Sequence, residues 1–258
     1  MVLGGEGLKM VGMAYAIASF FILVYLFYKD KFNKKIGYLF GITSTIVGFL
    51  VFAPMYPDQF QLLVLGKNEQ LGAPIQIAVI GFSLFIFLTF LFGRLFCGHL
   101  CPIGTIQELA YAAPTKKIRI RNKTPSVIFR LIFFVVFIVL GVFFSMGALI
   151  YLGFRDFFNL NLASLFFYLF LALVILSTFI YRPFCRFFCP YGVVLSFASI
   201  KSVFKLRRND NCNDCKKCEK ICPTNEASML DLKQECYLCN RCKDVCHVDA
   251  IEYSRFKH

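Results

Sequence analysis

Cysteine is the residue type in this sequence that is both frequent and patterned. Twelve occur, at positions 97, 101, 185, 189, 212, 215, 218, 222, 236, 239, 242 and 246. The last eight form two runs, CNDCKKCEKICP from Cys212 and CYLCNRCKDVCH from Cys236, each spaced C-x2-C-x2-C-x3-C. Thiolates are the soft ligands that iron–sulfur clusters take. The short x2 spacing lets three sulfurs wrap one face of a cube, and the fourth ligand then comes from the other run. The crossed pattern assigns Cys212, Cys215, Cys218 and Cys246 to one [4Fe–4S] cluster, and Cys236, Cys239, Cys242 and Cys222 to a second. A pair of zinc sites is the bland alternative, and two complete runs of this form disfavour it. His247 follows the last cysteine where the pattern usually has proline, and it is expected on the surface.

The first four cysteines belong to a phrase written twice. RLFCGHLCPIG from Arg94 and RPFCRFFCPYG from Arg182 share R-x-F-C-x-x-x-C-P-x-G, 88 positions apart. The same shift brings Lys117, Ile118 and Arg119 onto Lys205, Leu206 and Arg207. Two cysteines four apart share one helical face. The proline after the second disfavours helix at Cys101 and Cys189, yet suits the first turn of a following helix. Cys101 and Cys189 are therefore expected at a bend, capping the helices after them, where a helix N-terminus and a nearby arginine lower a thiol pKa. Pseudo-twofold symmetry would bring Cys97, Cys101, Cys185 and Cys189 to one four-sulfur site at the cytoplasmic membrane face, fit for a cluster or another soft metal. A thiol–disulfide relay and packing as small hydrophobes are the competing uses. His99 lies inside the first phrase, but its counterpart is Phe187, which weighs against a ligand role. Glu108 is the nearest acid and is expected to be solvated on an interfacial helix.

The elements that must position these cysteines lie largely in lipid. The chain has 258 residues, 58% of them hydrophobic, with 33 Phe and no Trp, and a mean hydropathy of +0.66. Soluble domains are about 45–50% apolar. Five apolar runs, 11–28, 36–54, 74–96, 127–150 and 162–181, approach or exceed the roughly 20 residues a bilayer requires. The first has no basic flank or small-residue cleavage site and is not expected to be removed as a signal peptide. The net charge is +13, but residues 1–209 hold 20 Lys and Arg against 6 Asp and Glu, whereas residues 210–258 hold 8 against 9. The excess sits in KDKFNKK, PTKKIRIRNK and KSVFKLRR. That is the bias of cytoplasmic loops rather than of nucleic-acid binding. The N-terminus is thus expected outside and the tail in the reducing cytoplasm, where structural disulfides are a poor default.

The expected fold is an α-helical polytopic membrane domain over residues 1–204, with about five spans and two pseudo-repeated hairpins. A cytoplasmic α+β two-cluster ferredoxin-like domain follows over residues 205–258. So small a tail has little room for a hydrophobic core, and its clusters would take that part. No histidine lies within a span, so a bis-histidine haem in the membrane is excluded. Neither a dinucleotide-binding glycine pattern nor a P-loop occurs, and no carboxylate within a span suggests an ion pathway.

The tail resembles bacterial two-cluster ferredoxins over 209–253, including CPTNEAS and VDAIEY. Together with the twin C-x3-C-P phrases, the chain from about 36 to 253 is similar to the NapH family of membrane iron–sulfur proteins, and to the membrane-plus-ferredoxin part of NosR and CcoG-type proteins. NapH is usually described with four spans, one fewer than counted here, and the extracytoplasmic flavin-binding part of NosR is not expected. The resemblance implies electron transfer between a quinol in the bilayer and a partner redox protein, without further substrate chemistry. The alternative it implies is a maturation factor supplying electrons to a metal ion or metalloenzyme under assembly.

Overall fold

The computed structural model describes residues 6–51, 56–66, 75–120 and 122–255. In chain order its helices begin α1 (Glu6–Tyr28), α2 (Lys34–Val51), α3 (Tyr56–Val64), α4 (Ile75–Phe92), α5 (Leu95–His99), α6 (Pro102–Tyr111) and α7 (Thr124–Phe144). There follow α8 (Phe154–Phe158), α9 (Leu165–Leu176), a π-helical turn over Phe184–Phe188, and α10 (Pro190–Ile200). The tail adds strand β1 (Phe204–Arg208), short helices α11 (Lys217–Ile221) and α12 (Arg241–Asp244), and strand β2 (Ile251–Arg255), which pairs antiparallel with β1.

Among the described residues three helical stretches, Val11–Tyr28, Lys34–Val51 and Thr124–Phe144, are long and apolar enough to cross a membrane, while Ala78–Phe92 and Leu165–Leu176 are shorter. The structure therefore gives three such helices where the apolar runs suggested five spans. The runs at 74–96 and 162–181 shorten for a local reason. Helix α4 ends at Gly93, whose φ of +74° belongs to the left-handed region, and the chain after α9 breaks before Arg182 at φ +49°. At each break the polypeptide reverses direction.

The reversal carries both phrases back into the bundle. Helix α6 runs antiparallel beside α2: a Cβ on Gly48 would meet Pro102 at 2.5 Å, and one on Gly41 would meet Leu109 and Thr105. Helix α10 lies along α4, with the Tyr191 hydroxyl on the Phe82 carbonyl at 3.3 Å and the Val203 N–H on the Phe90 carbonyl at 3.0 Å. Phe188 meets Phe133 edge-on, nine residues into α7. At 1.5 Å per residue, the second phrase turns about 15 Å inside the tail-bearing end of α4. The second phrase thus turns within the bundle. Apolar content reports that a segment is buried in lipid or protein, but not whether it continues across or folds back.

The tail seats on this bundle through buried polar contacts. Glu235 lies between Arg130 of α7 (2.9 Å) and Arg186 of the second phrase (3.3 Å), with all three side chains no more than 2% exposed. The Tyr253 hydroxyl donates to the Phe92 carbonyl at 2.8 Å, His99 Nε2 donates to the Leu238 carbonyl at 3.2 Å, and Arg241 pairs with Glu108. Breaking a buried ion pair by removing one partner costs about 3–5 kcal/mol. Glu235→Ala is therefore expected to release the tail from the bundle. Amide hydrogen exchange over 233–240 should rise strongly, and unchanged protection there would refute this account of docking.

Candidate metal centres

In each tail run the chain wraps by alternating backbone handedness. The residue before the second cysteine and the residue after it both have positive φ: Asp214 and Lys216 in the first run, Leu238 and Asn240 in the second. The pattern repeats after 24 positions, as does Asn225 with Asp249. These kinks bring backbone N–H groups onto sulfur. The N–H of Glu226 donates to Cys222 Sγ at 3.2 Å, and its counterpart, the N–H of Ala250, donates to Cys246 Sγ at 3.3 Å.

The tail cysteines line two cavities. One is bordered by Cys212, Cys215, Cys218 and Cys246. The other, about 1000 Å³, is bordered by Cys222, Cys236, Cys239 and Cys242 together with Tyr237. Arg208 and Ile251 border both, so the two spaces share a wall. His247 is exposed and its Nε2 is 3.2 Å from Asn213 Nδ2.

The remaining four cysteines line a third, small cavity inside the bundle, bordered also by Pro57, Arg94, Phe96, Ile103, Phe184 and Tyr191. Phe96 and Phe184, Ile103 and Tyr191, Cys97 and Cys185, and Cys101 and Cys189 are repeat equivalents, so the walls are built in matched pairs. Cys101 and Cys189 are N-caps of α6 and α10 with proline at the first helical position, and Cys189 Sγ accepts from the Gly192 N–H at 3.2 Å.

The phrase's arginine and glycine, which spacing alone left without a role, lock the two copies together by exchange. Arg94 Nη1 donates to Ser196 Oγ of α10 at 3.1 Å, while its equivalent Arg182 donates from Nε to Glu108 Oε2 of α6 at 3.0 Å. Ser196 and Glu108 are themselves 88 apart. A Cβ on Gly192 would meet Arg94 Nη2 at 3.2 Å, and one on Gly104 would meet Arg182 Nη1 at 3.1 Å. Arg182 also donates to the Cys97 and Gly98 carbonyls, at 2.5 and 2.6 Å. The aligned lysines behave alike. Lys117 Nζ caps α6 through the Tyr111 carbonyl, and Lys205 Nζ caps α10 through that of Ile200.

Two expectations need correction here. Glu108 is not a solvated acid: burial opposes its charge, but Arg182, Arg241 and the Tyr181 hydroxyl outweigh that and hold its carboxyl down at about 2. Cys101, Cys185 and Cys189 are not acidified: burial pushes all three up, Cys185 to about 11 despite Arg182 and Arg94. A metal entering this site must therefore displace thiol protons. His99 is no border of the thiol cavity. It is buried against Phe27 and Phe32, and burial, then Arg182, lowers its pKa to about 4.

All twelve cysteines are free thiols. Among the described residues no three His, Cys, Asp or Glu side chains converge closely enough to hold one metal ion, yet three sets of four thiols each border a common space. Ligands placed around a space rather than a point suit a polynuclear cluster, whose irons each take one thiolate, better than a single ion. Arg94 Nε, on the border of the bundle cavity, is buried with no hydrogen-bond partner among the described residues. It is a donor fit for an anionic sulfur cluster.

A family model described as a 4Fe–4S binding domain matches residues 75–121 and again 162–209. Both matches fall on the repeated phrase, not on the tail runs. MJ0750 of Methanocaldococcus jannaschii, an uncharacterised protein, is 35% identical over 207 residues, which is 75% of this chain and 83% of that protein. The putative electron transport protein YccM of Escherichia coli is 29% identical, over 79% of this chain and 61% of its own length. The ferredoxin-type protein NapH of Haemophilus influenzae is 27% identical, over 72% and 71%. Proteins named NirI and NosR match as well. No solved structure matches.

The exchanged contacts are alike at the two glycines, but a contact within the first copy makes the glycines unequal. A Cβ at Gly104 would lie 2.6 Å from the Cys97 carbonyl, which is backbone, whereas at Gly192 the nearest neighbour is the end of an arginine. Gly104→Ala is expected to cost about 1–3 kcal/mol and Gly192→Ala clearly less, as read from thermal unfolding in detergent. Equal losses would contradict the close approach of the Cys97 carbonyl to Gly104.

Proposed function

The chain belongs to the NapH/NosR-like family of membrane iron–sulfur proteins, and from that premise we propose that it conducts electrons between a quinol in the bilayer and a partner redox protein through three [4Fe–4S] clusters. Cys97, Cys101, Cys185 and Cys189 would hold the cluster inside the bundle. Cys222, Cys236, Cys239 and Cys242 would hold the next, and Cys212, Cys215, Cys218 and Cys246 the outermost. Such clusters supply one-electron storage at a potential set by burial and by hydrogen bonds to sulfur.

One observation carries the reading: twelve cysteines border three cavities, four to each, in a row with adjoining walls. Arg208 and Ile251 separate the two tail cavities, while Arg94 of the bundle cavity stacks 4.6 Å from the ring of Tyr237, which borders the larger tail cavity. The chain's own residues keep the inner site dry, with Phe96, Phe184 and Pro57 on its border. The basic loops support a membrane domain with five crossings and a cytoplasmic tail. Lys117, Lys123 and Lys205 lie at the tail-bearing end of the bundle, where Lys123 pairs with Glu226 and Asp231. The second reading, electrons for a metal ion or metalloenzyme under maturation, draws on the NosR likeness and uses the same row of sites.

Anaerobic iron and sulfide analysis of the full chain tests the cluster assignment. The pair Cys97→Ser and Cys185→Ser is expected to remove about four irons and leave the tail's roughly eight in place. Unchanged iron with an altered free-thiol count on oxidation would mean a thiol relay instead, and stoichiometric zinc would overturn all three clusters. For the donor, a reduced quinol analogue should bleach the cluster absorbance of the purified protein within the mixing time of a rapid experiment. Bleaching by dithionite but not by quinol would remove the quinol and leave the maturation reading.

A further inference from the structure

Tyr237 lies between two ligands of the second tail run, Cys236 and Cys239, and borders the larger tail cavity, yet its ring also packs against the bundle. Its carbonyl packs against Gly98 so closely that a Cβ there would come within 2.2 Å. From that anchor the ring passes between the guanidinium groups of Arg94 and Arg182, 4.6 and 4.8 Å from its centroid. The two arginines are equivalent residues of the two phrases. The ring therefore touches the matched residue of both copies, and one of them, Arg94, borders the cavity of the four thiols.

The far end of this ring is unexplained by the protein alone. Tyr237 is 2% exposed, and its hydroxyl has no hydrogen-bond partner among the described residues. A buried hydroxyl left without a partner costs about 1–3 kcal/mol, and native proteins satisfy nearly all such groups. Arg94 Nε, on the border of the thiol cavity, is unsatisfied in the same way. One donor comes from the tail and one from the bundle, in side chains stacked on each other.

We propose that the Tyr237 hydroxyl donates a hydrogen bond to a sulfur atom of the cluster held by Cys97, Cys101, Cys185 and Cys189, so that seating of the tail sets that cluster's reduction potential. This rests on the reading that the thiol cavity holds an iron–sulfur cluster. A donor to cluster sulfur stabilises the more negative, reduced form and raises the potential. The two arginines supply positive charge whether or not the tail is seated. The hydroxyl arrives only with the tail, and with it an electron on the inner cluster becomes favourable when the next carrier is in place.

Tyr237→Phe keeps the ring and deletes the donor. The test is a potentiometric titration of the full-length protein in detergent, followed by electron paramagnetic resonance, with inner and tail signals assigned by their loss in Cys97→Ser/Cys185→Ser and in Cys215→Ser. The inner signal should move to lower potential by about tenfold in its redox equilibrium, which is 59 mV for one electron, with iron content and tail signals unchanged. An exchangeable proton coupled to the inner signal should also vanish in Tyr237→Phe. An unmoved inner signal, or a shift confined to a tail signal, would overturn the proposal. If Cys97→Ser/Cys185→Ser abolishes no signal, the inner cluster itself is absent and the proposal falls with it, for a reason the Tyr237 variant does not share.

Discussion

The exchange of arginines between the two phrases is the contact on which the rest of the molecule depends. Each guanidinium finds its acceptor on the helix that follows the other copy, Arg94 on Ser196 and Arg182 on Glu108. Buried charges persist only where they are paired and hydrogen-bonded. Neither phrase can therefore fold into the bundle by itself, since its own arginine would be stranded. The small residue at Gly104 and at Gly192 is the other half of the same exchange, because the partner's guanidinium occupies the space a side chain would fill. A repeated phrase thus needs its second copy for a structural reason before any metal is considered, and the convergence of four thiols follows from it.

The tail repeats that logic on a smaller scale. Its two runs are related by 24 positions, and the fourth cysteine of each lies with the first three of the other. Alternating backbone handedness at Asp214, Lys216, Leu238 and Asn240 costs conformational energy that a packed core would ordinarily offset. Here the offset comes from N–H donors aimed at sulfur and from docking on the bundle. Glu235, Tyr237, Leu238 and Arg241, which make that docking, are interleaved with Cys236, Cys239 and Cys242. The segment that borders the nearer tail cavity is the segment that touches the bundle, so the two cannot move independently.

Which cysteines border a common cavity could be read from spacing, because spacing is a local property of the chain. The bends at Cys101 and Cys189 were legible too, since a following proline constrains the residue before it. Depth was not. Hydropathy counts apolar residues along 74–96 and 162–181 and is blind to the reversals at Gly93 and Arg182, so it does not show where those helices end. Glu108 read as solvated because its partners, Arg182 and Arg241, are remote in sequence. Tyr237 carried no signal at all: its importance comes from two arginines 88 positions apart that happen to meet at its ring. Arg94 and Gly104 were visible as repeated letters without a task, and a repeat that conserves a residue type beyond the presumed ligands is itself a sign of contact between copies.

Charge explains why these features occur together. Arg94, Arg130, Arg182 and Arg186 are all fully buried in or beside the bundle, and the buried carboxylates that pair with them are Glu108 and Glu235. Cations outnumber those anions in a region of low dielectric, where an unpaired ion is very costly. The phrase thiols do not relieve this while protonated, and burial keeps Cys185 protonated up to about pH 11. Thiolates bound to iron would relieve it, since each brings a negative charge that metal binding makes permanent. The arginines then favour the cluster, and the cluster favours the arginines. Glu235, which is the tail's own contribution to the charge balance, is drawn in by the same excess. Assembly of the inner site, closure of the two phrases and seating of the tail are on this account one cooperative event, driven by pairing of charge within the bundle.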